Sequence, residues 1–229
     1  MTTINHLSNE VLLQIFRSLP SNNQLVCASA CRNWRTLARG VYFSEINITP
    51  DTRFVRLSYC LQSTGDFVRS LTIVALRSIE TEAIIRLVRS CHYLFELKLD
   101  SIYCRRFCES GLTLSRLKTF SVLLEANNHH NNIFHYLYRI AYRHRRSIEK
   151  LYIPYTNDVV LQQEFGGVMN YLSQFENLRH LTLHNGDRNA PVVYFDTLLN
   201  TCRTLEELYT GYAYPLYPPA MVQNIWTIL

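Results

Sequence analysis

No window of the 229-residue sequence approaches a continuous apolar run of the ~18 residues that would span a bilayer. The opening MTTINHLSNE has neither the basic flank nor the apolar stretch of a secretory leader. The chain is therefore expected to stay inside the cell, in cytoplasm or nucleus, with no membrane partner. A disulfide framework is missing too: seven cysteines, at 27, 31, 60, 91, 104, 108 and 202, are odd in number and scattered, as free thiols in a reducing compartment would be. Gly166-Gly167 lacks both the leading Gly and the following Lys-Ser/Thr of a phosphate loop, and no Gly-x-Ser-x-Gly elbow exists. His129 and His130, with His135 nearby, have no Cys or carboxylate beside them at zinc spacing, and Cys104 and Cys108 have no second pair. The polar run around the histidines reads as a solvated loop. No catalytic residue, metal or other cofactor is expected. Charge of one sign is also scarce, at a net +5 that lies largely between Arg139 and Lys150, which argues against a dedicated nucleic-acid binder.

What the sequence does contain is a repeat. The pattern apolar-x-x-apolar-x-apolar recurs as Phe43/Ile46/Ile48, Val68/Leu71/Ile73, Leu94/Leu97/Leu99, Leu117/Phe120/Val122, Ile148/Leu151/Ile153, Leu178/Leu181/Leu183 and Leu205/Leu208 with Thr210. Its first positions are 25, 26, 23, 31, 30 and 27 residues apart. The last two members of each triplet alternate, so they point to one side of a strand. Between strands lie stretches with helical spacing, such as Ile84, Leu87, Val88 and Cys91, or Val168, Tyr171, Leu172 and Phe175. A strand plus a helix of this size cannot bury its own apolar face, so the units must stack into a solenoid. The expected fold class is α/β, with a parallel sheet on the concave side. The period resembles that of the leucine-rich repeat, mostly longer and less regular than the commonest forms and without a consistent Asn after the triplet.

The first forty residues stand outside the repeat. Ser8 can cap a helix carrying Val11, Leu12, Ile15, Phe16 and Leu19 that ends before Pro20. Ser21 to Asn23 read as a turn, followed by a second helix from about 24 to 38 with Leu25, Ala28, Cys31, Trp34 and Leu37. So small an apolar core is not self-sufficient, which implies a partner. The series Leu7-Ser8-Asn-Glu10-Val11-Leu12-Leu-Gln-Ile15-Phe16-Arg-Ser-Leu19, then Leu25, Cys31-Arg32-Asn-Trp34 and Leu37-Ala38, resembles the F-box. It departs from that family at Ser8, where Pro is usual. The resemblance implies domains at 1–40 (F-box) and 41–229 (about seven repeats), and adaptor contacts from Leu7, Ser8, Glu10, Val11, Ile15, Phe16, Leu19, Leu25, Cys31 and Trp34. The phrases Cys91-His-Tyr-Leu94, Cys202-Arg-Thr-Leu205 and Phe175-Glu-Asn-Leu178 resemble the cysteine-containing repeats that follow F-boxes. The implied partners are a Skp-family adaptor, through it a cullin, and a target protein. The implied role is a non-catalytic substrate receptor of an SCF-type ubiquitin ligase. Alternatives are an F-box scaffold acting without ubiquitination and a repeat protein that binds nucleic acid.

Target-binding residues are expected on the strand positions that flank the buried ones. The last three strands gather Lys150, Tyr152, His180, His184, Glu207 and Tyr209, followed by Tyr212, Tyr214 and Tyr217, with Lys98 on an earlier strand. Aromatic anchors favour that end. After Pro218-Pro219, the apolar residues Met221, Val222, Ile225, Trp226 and Leu229 suggest a short helix capping the last repeat. The nucleic-acid alternative rests on Tyr136 to Arg146, where aromatics interleave with arginines. The same stretch reads equally as a repeat helix, with Ile133, Leu137, Ile140 and Ala141 inward and arginines in solvent.

Overall fold

The computed structural model of the chain describes residues 7–74, 79–123, 132–155, 159–185, 200–212 and 224–227. Ser8 opens helix α1 (Asn9–Ser18), where its side-chain oxygen accepts the Val11 N–H at 3.5 Å. The expected single helix over 24–38 is corrected to two, α2 (Ser21–Ala30) and α3 (Arg32–Tyr42), and the expected turn at Ser21 to Asn23 is the first turn of α2. Pro20, with its fixed φ, is the residue from which α2 starts at once. Cys31 separates the two helices because its backbone is extended, with φ −157° and ψ 171°, and its Sγ accepts the Trp34 N–H at 3.5 Å as the cap of α3. Leu12 and Phe16 from α1, Ala28 from α2 and Ala38 from α3 form the centre of the bundle, with Ile15, Leu19, Trp34, Leu37 and Val41 packed around them. Gln24 is buried there as well. Its amide donates to the carbonyls of Phe16 at 3.0 Å and Leu19 at 2.9 Å, tying α2 to the end of α1.

Beyond α3 the chain alternates strand and helix. Strands β1 (Glu45–Ile48), β2 (Ser70–Ile73), β3 (Glu96–Asp100), β4 (Thr119–Leu123), β5 (Lys150–Tyr155), β6 (His180–Asn185) and β7 (Glu207–Tyr212) lie side by side in chain order, all parallel. The connections carry α4 (Phe54–Thr64), α5 (Thr81–Arg89), α6 (Cys104–Glu109), α7 (Asn132–Arg143), α8 (Val159–Phe165) and α9 (Val168–Ser173). The result is a leucine-rich-repeat-like solenoid.

Its register follows from the repeat. Ile46, Leu71, Leu97, Phe120, Leu151, Leu181 and Leu208 stand opposite one another across seven strands and are all buried. Each such side chain contributes about 1.5–3 kcal/mol on burial, so a one-residue slip, which would turn a whole strand inside out, is strongly disfavoured. The leading positions Val68, Leu94, Leu117, Ile148 and Leu178 are at most 1% exposed in the same core. A backbone clamp fixes the strand starts. The carbonyl before each of β1 to β6 accepts two N–H groups from the next repeat, as Arg69 O does from Phe95 and Glu96 at 2.8 and 2.9 Å, and Lys118 O from Glu149 and Lys150 at 2.7 and 2.9 Å. At Gly65 adjacent repeats approach closely, for a Cβ there would lie 2.1 Å from the Ser90 carbonyl oxygen.

Two sequence expectations change in the sheet. Asp100, which strand alternation after Lys98 would put on the open face, is 3% exposed, and its carboxylate accepts the Ile102 N–H at 3.1 Å to start the following turn. The expected capping helix is a strand over its described part, β8 (Asn224–Thr227), antiparallel to β7 with Trp226 opposite Leu208. The exposed edge of β7 offers a row of unpaired backbone groups, and the β-favouring Ile225-Trp226-Thr227 can satisfy them as a strand. Tyr214 and Tyr217, His129 and His130, and the rest of the closing segment lie outside the described residues.

Candidate docking and target-binding surfaces

In the helical bundle the candidate residues divide into two sets. Leu7, Val11 and Leu25 are exposed at 38%, 40% and 42%, and Val26 at 68%. Leu7 and Val11 lie one turn apart at the start of α1, and Leu25 and Val26 are adjacent on α2. Ser8, Glu10 and Cys31 are exposed beside them or at the head of α3. Glu10 is held below the usual carboxylate range, first by a backbone N–H and then by the Ser8 hydroxyl. The second set faces inward. Phe16 is 1% exposed with Trp34 edge-on against it, and Ile15 and Leu19 are half-buried against the same core. These four pack beneath the three helices. Sequence reasoning missed Val26, which nothing in the weakly amphipathic α2 separates from its neighbours, and Gln24, whose burial only the α1–α2 turn reveals.

On the sheet, alternate residues form two rows left uncovered by helices. One runs Glu45, Ser70, Glu96, Thr119, Lys150, His180 and Glu207, and the other Asn47, Thr72, Lys98, Ser121, Tyr152, Thr182 and Tyr209. Glu96 accepts from Ser70 Oγ at 2.7 Å and pairs with Lys98 Nζ at 3.1 Å. At the far end Glu207 Oε2 accepts from His180 Nδ1 at 2.8 Å and from the Tyr209 hydroxyl at 3.1 Å. The His180 bond, followed by that from Tyr209, holds the Glu207 carboxyl below its ordinary range, while the same carboxylate raises the Tyr209 phenol. Tyr152, half-buried two strands away, is raised by burial and then by Glu96. Lys150 is exposed at the head of β5. His184 stands in register with Gly211 on β7, and Tyr212 with Asn185 on β6. The structure thus brings Tyr152, His180, Glu207 and Tyr209 onto one face of β5, β6 and β7, with Lys98, paired to Glu96, two strands from Tyr152 on its other side.

The basic helix is largely spoken for internally. On α7, Leu137, Tyr138, Ile140 and Ala141 are buried. Arg139 pairs with Glu164 at 2.9 Å, and His135 contacts the same carboxylate. Arg143 donates to the carbonyls of Cys108 at 3.0 Å and Leu112 at 3.4 Å. Arg145 lies over the Tyr142 ring, and Arg146 pairs with Glu176 at 3.2 Å. Cys91, Cys104, Cys108 and Cys202 are buried core groups, and burial pushes the thiol of Cys91 up to about 12 and that of Cys202 up to about 11. Neither is a poised nucleophile. No helix among the described residues is long and apolar enough to cross a membrane.

The small three-helix module leaves apolar side chains uncovered, and the solenoid beyond it keeps an open polar face. Residues 4–45 match the F-box domain family. The chain therefore carries an N-terminal F-box, an adaptor module that implies binding to a Skp-family adaptor, followed by a seven-strand parallel solenoid. The repeats themselves are not matched by a leucine-rich-repeat family. No curated protein matches the chain.

Proposed function

We propose that this chain is the substrate-recognition subunit of an SCF-type ubiquitin ligase. The observation that carries the reading is the F-box at 4–45, with its uncovered Leu7, Val11, Leu25 and Val26. The F-box binds a Skp-family adaptor and through it a cullin, and the open face of β5 to β7 holds a target protein through Lys150, Tyr152, His180, Glu207 and Tyr209. The mechanism is proximity: target lysines held near the transferring enzyme react at a raised effective concentration. The chemistry belongs to other subunits. Interface energy concentrates in aromatic anchors, and the hydrogen bonds among His180, Glu207 and Tyr209 pre-order such a group before binding.

The test is to isolate the chain with its partners from its native cell and follow the fate of co-isolated proteins when the chain is removed. The expected result is recovery of an adaptor and a cullin, with at least one bound protein that accumulates on removal. Adaptor without cullin, or bound proteins whose lifetimes never change, would replace this reading with that of a scaffold.

A further inference from the structure

The residues that immediately precede the strands form a column along one edge of the solenoid, in the order Arg69, Phe95, Lys118, Glu149, Arg179 and Glu206, aligned by the backbone clamps. From Lys118 onward its charges close as ion pairs between neighbouring repeats, Lys118 with Glu149 at 2.6 Å and Arg179 with Glu206 at 2.8 Å. At Arg69 the pattern breaks. The Arg69 guanidinium lies 5.1 Å from the Tyr93 ring centroid and 5.9 Å from that of Phe95, and Arg116 of the next repeat lies 4.3 Å from the same Tyr93 ring. Neither arginine forms an ion pair among the described residues. Arg69 spends one nitrogen on the carbonyls of Asp66 and Val68, at 2.6 and 3.3 Å, and Arg116 has only the ring. Two acids beside these residues are already engaged, Asp66 by His92 at 2.9 Å and Glu96 by Ser70 and Lys98.

Two guanidinium groups held on one aromatic ring repel each other, and no ion pair to either is made among the described residues although their neighbours in the column are paired. We propose that Arg69, Tyr93 and Arg116 form a fork that binds a carboxylate-rich segment of a partner polypeptide. Guanidinium groups fixed against a ring present N–H pairs in the geometry that a carboxylate takes at two points. A nucleic-acid strand fits less well, because a continuous phosphate backbone needs cations along its length, whereas here Asp66 lies on one side and the Lys118–Glu149 pair on the other. The fork lies beside the first row of the open face, next to Ser70, Glu96 and Thr119, so a chain crossing the sheet can reach it.

The probe is a fluorescein-labelled octaglutamate peptide titrated with the full chain at low salt, beside a Gly-Ser peptide of equal length and a single-stranded octanucleotide. Arg116 is exposed and holds nothing but the ring, so Arg116→Gln keeps the fold, checked by its thermal melt. The expected result is salt-sensitive binding of octaglutamate alone, weakened about fivefold or more by Arg116→Gln, a modest factor because exposed charge pairs are screened. Arg69→Lys, which keeps the charge but removes the planar fork, should also weaken it. Octaglutamate affinity that Arg116→Gln leaves unchanged would overturn the proposal. So would an octanucleotide that binds more tightly and is lost with the same substitution.

Discussion

The Phe16 ring meets the indole of Trp34 edge-on, with centroids 5.4 Å apart and planes at 68°. This contact joins α1 to α3 across a core of four buried hydrophobic side chains among the described residues. Truncating Phe16 to Ala should cost about 3–5 kcal/mol, a large share of what so small a module holds. The helical bundle should then melt separately and earlier in calorimetry, while the strand signal of the solenoid persists. A Phe16→Ala protein with an unaltered melting profile would show that the pair is not what joins the helices.

His144 is 3% exposed, donating from Nδ1 to the Ile140 carbonyl at 2.8 Å and accepting the Leu114 N–H on Nε2 at 2.9 Å. Accepting on Nε2 requires the neutral ring, whereas the Nδ1 bond survives protonation, and burial holds the pKa below the ordinary value. The unfolded chain therefore takes up a proton more readily than the folded one below about pH 6.5. Stability from this group is present above that pH and is lost as pH falls through the lower folded pKa. Urea midpoints should fall between pH 7.5 and 5.0, and less steeply in His144→Gln, which cannot titrate. Parallel pH profiles for the two proteins would remove His144 as the cause.

Gly65 and Gly111 should respond differently to the same change. A methyl group at Gly111 meets open space, so Gly111→Ala pays only for a left-handed φ of +67°, about 1–2 kcal/mol. At Gly65 the methyl meets the Ser90 carbonyl oxygen, a backbone atom that cannot rotate away. Gly65→Ala should cost more than Gly111→Ala and lower the cooperativity of unfolding, since it parts adjacent repeats. Denaturant titration of both variants checks the order.

The open face yields a prediction that separates two modules. Replacing Tyr152, His180 and Tyr209 together by Ala removes the aromatic anchors and the partners of Glu207 while leaving the buried strand positions intact. Recovery of the target should fall at least tenfold, about 1.4 kcal/mol or more, whereas adaptor recovery should not change. Undiminished target recovery would move the site elsewhere on the solenoid.

The solenoid was legible because a period-two triplet repeated seven times leaves one solution in which every unit buries its face, and Leu97, Phe120 and Leu151 do stand in line as their spacing required. Long-range geometry was not. Asp100 satisfies the alternation yet turns inward, because a local turn needs its carboxylate more than the surface does. Cys31 reads as one more apolar residue at helical spacing, and only its extended backbone shows that it divides α2 from α3. The strand at Asn224–Thr227 has helical spacing too, and the unpaired edge of β7 decides it. Pairings such as Arg69 and Arg116 on Tyr93 join three different repeats, which no local pattern in the sequence encodes.

The central claim is that the uncovered apolar side chains of the F-box are a docking surface, and it is tested most directly by one binding measurement. Val11→Asp and Val26→Asp together place charges on exposed positions of α1 and α2, so the bundle should keep its helicity and melting temperature. Burying those charges against an apolar partner surface costs several kcal/mol, on the order of the binding energy of a micromolar complex. Titrated by calorimetry with a purified Skp-family adaptor, the unaltered chain should bind and the double variant should show no measurable heat of binding. An affinity unchanged in a variant that is still folded would contradict the account.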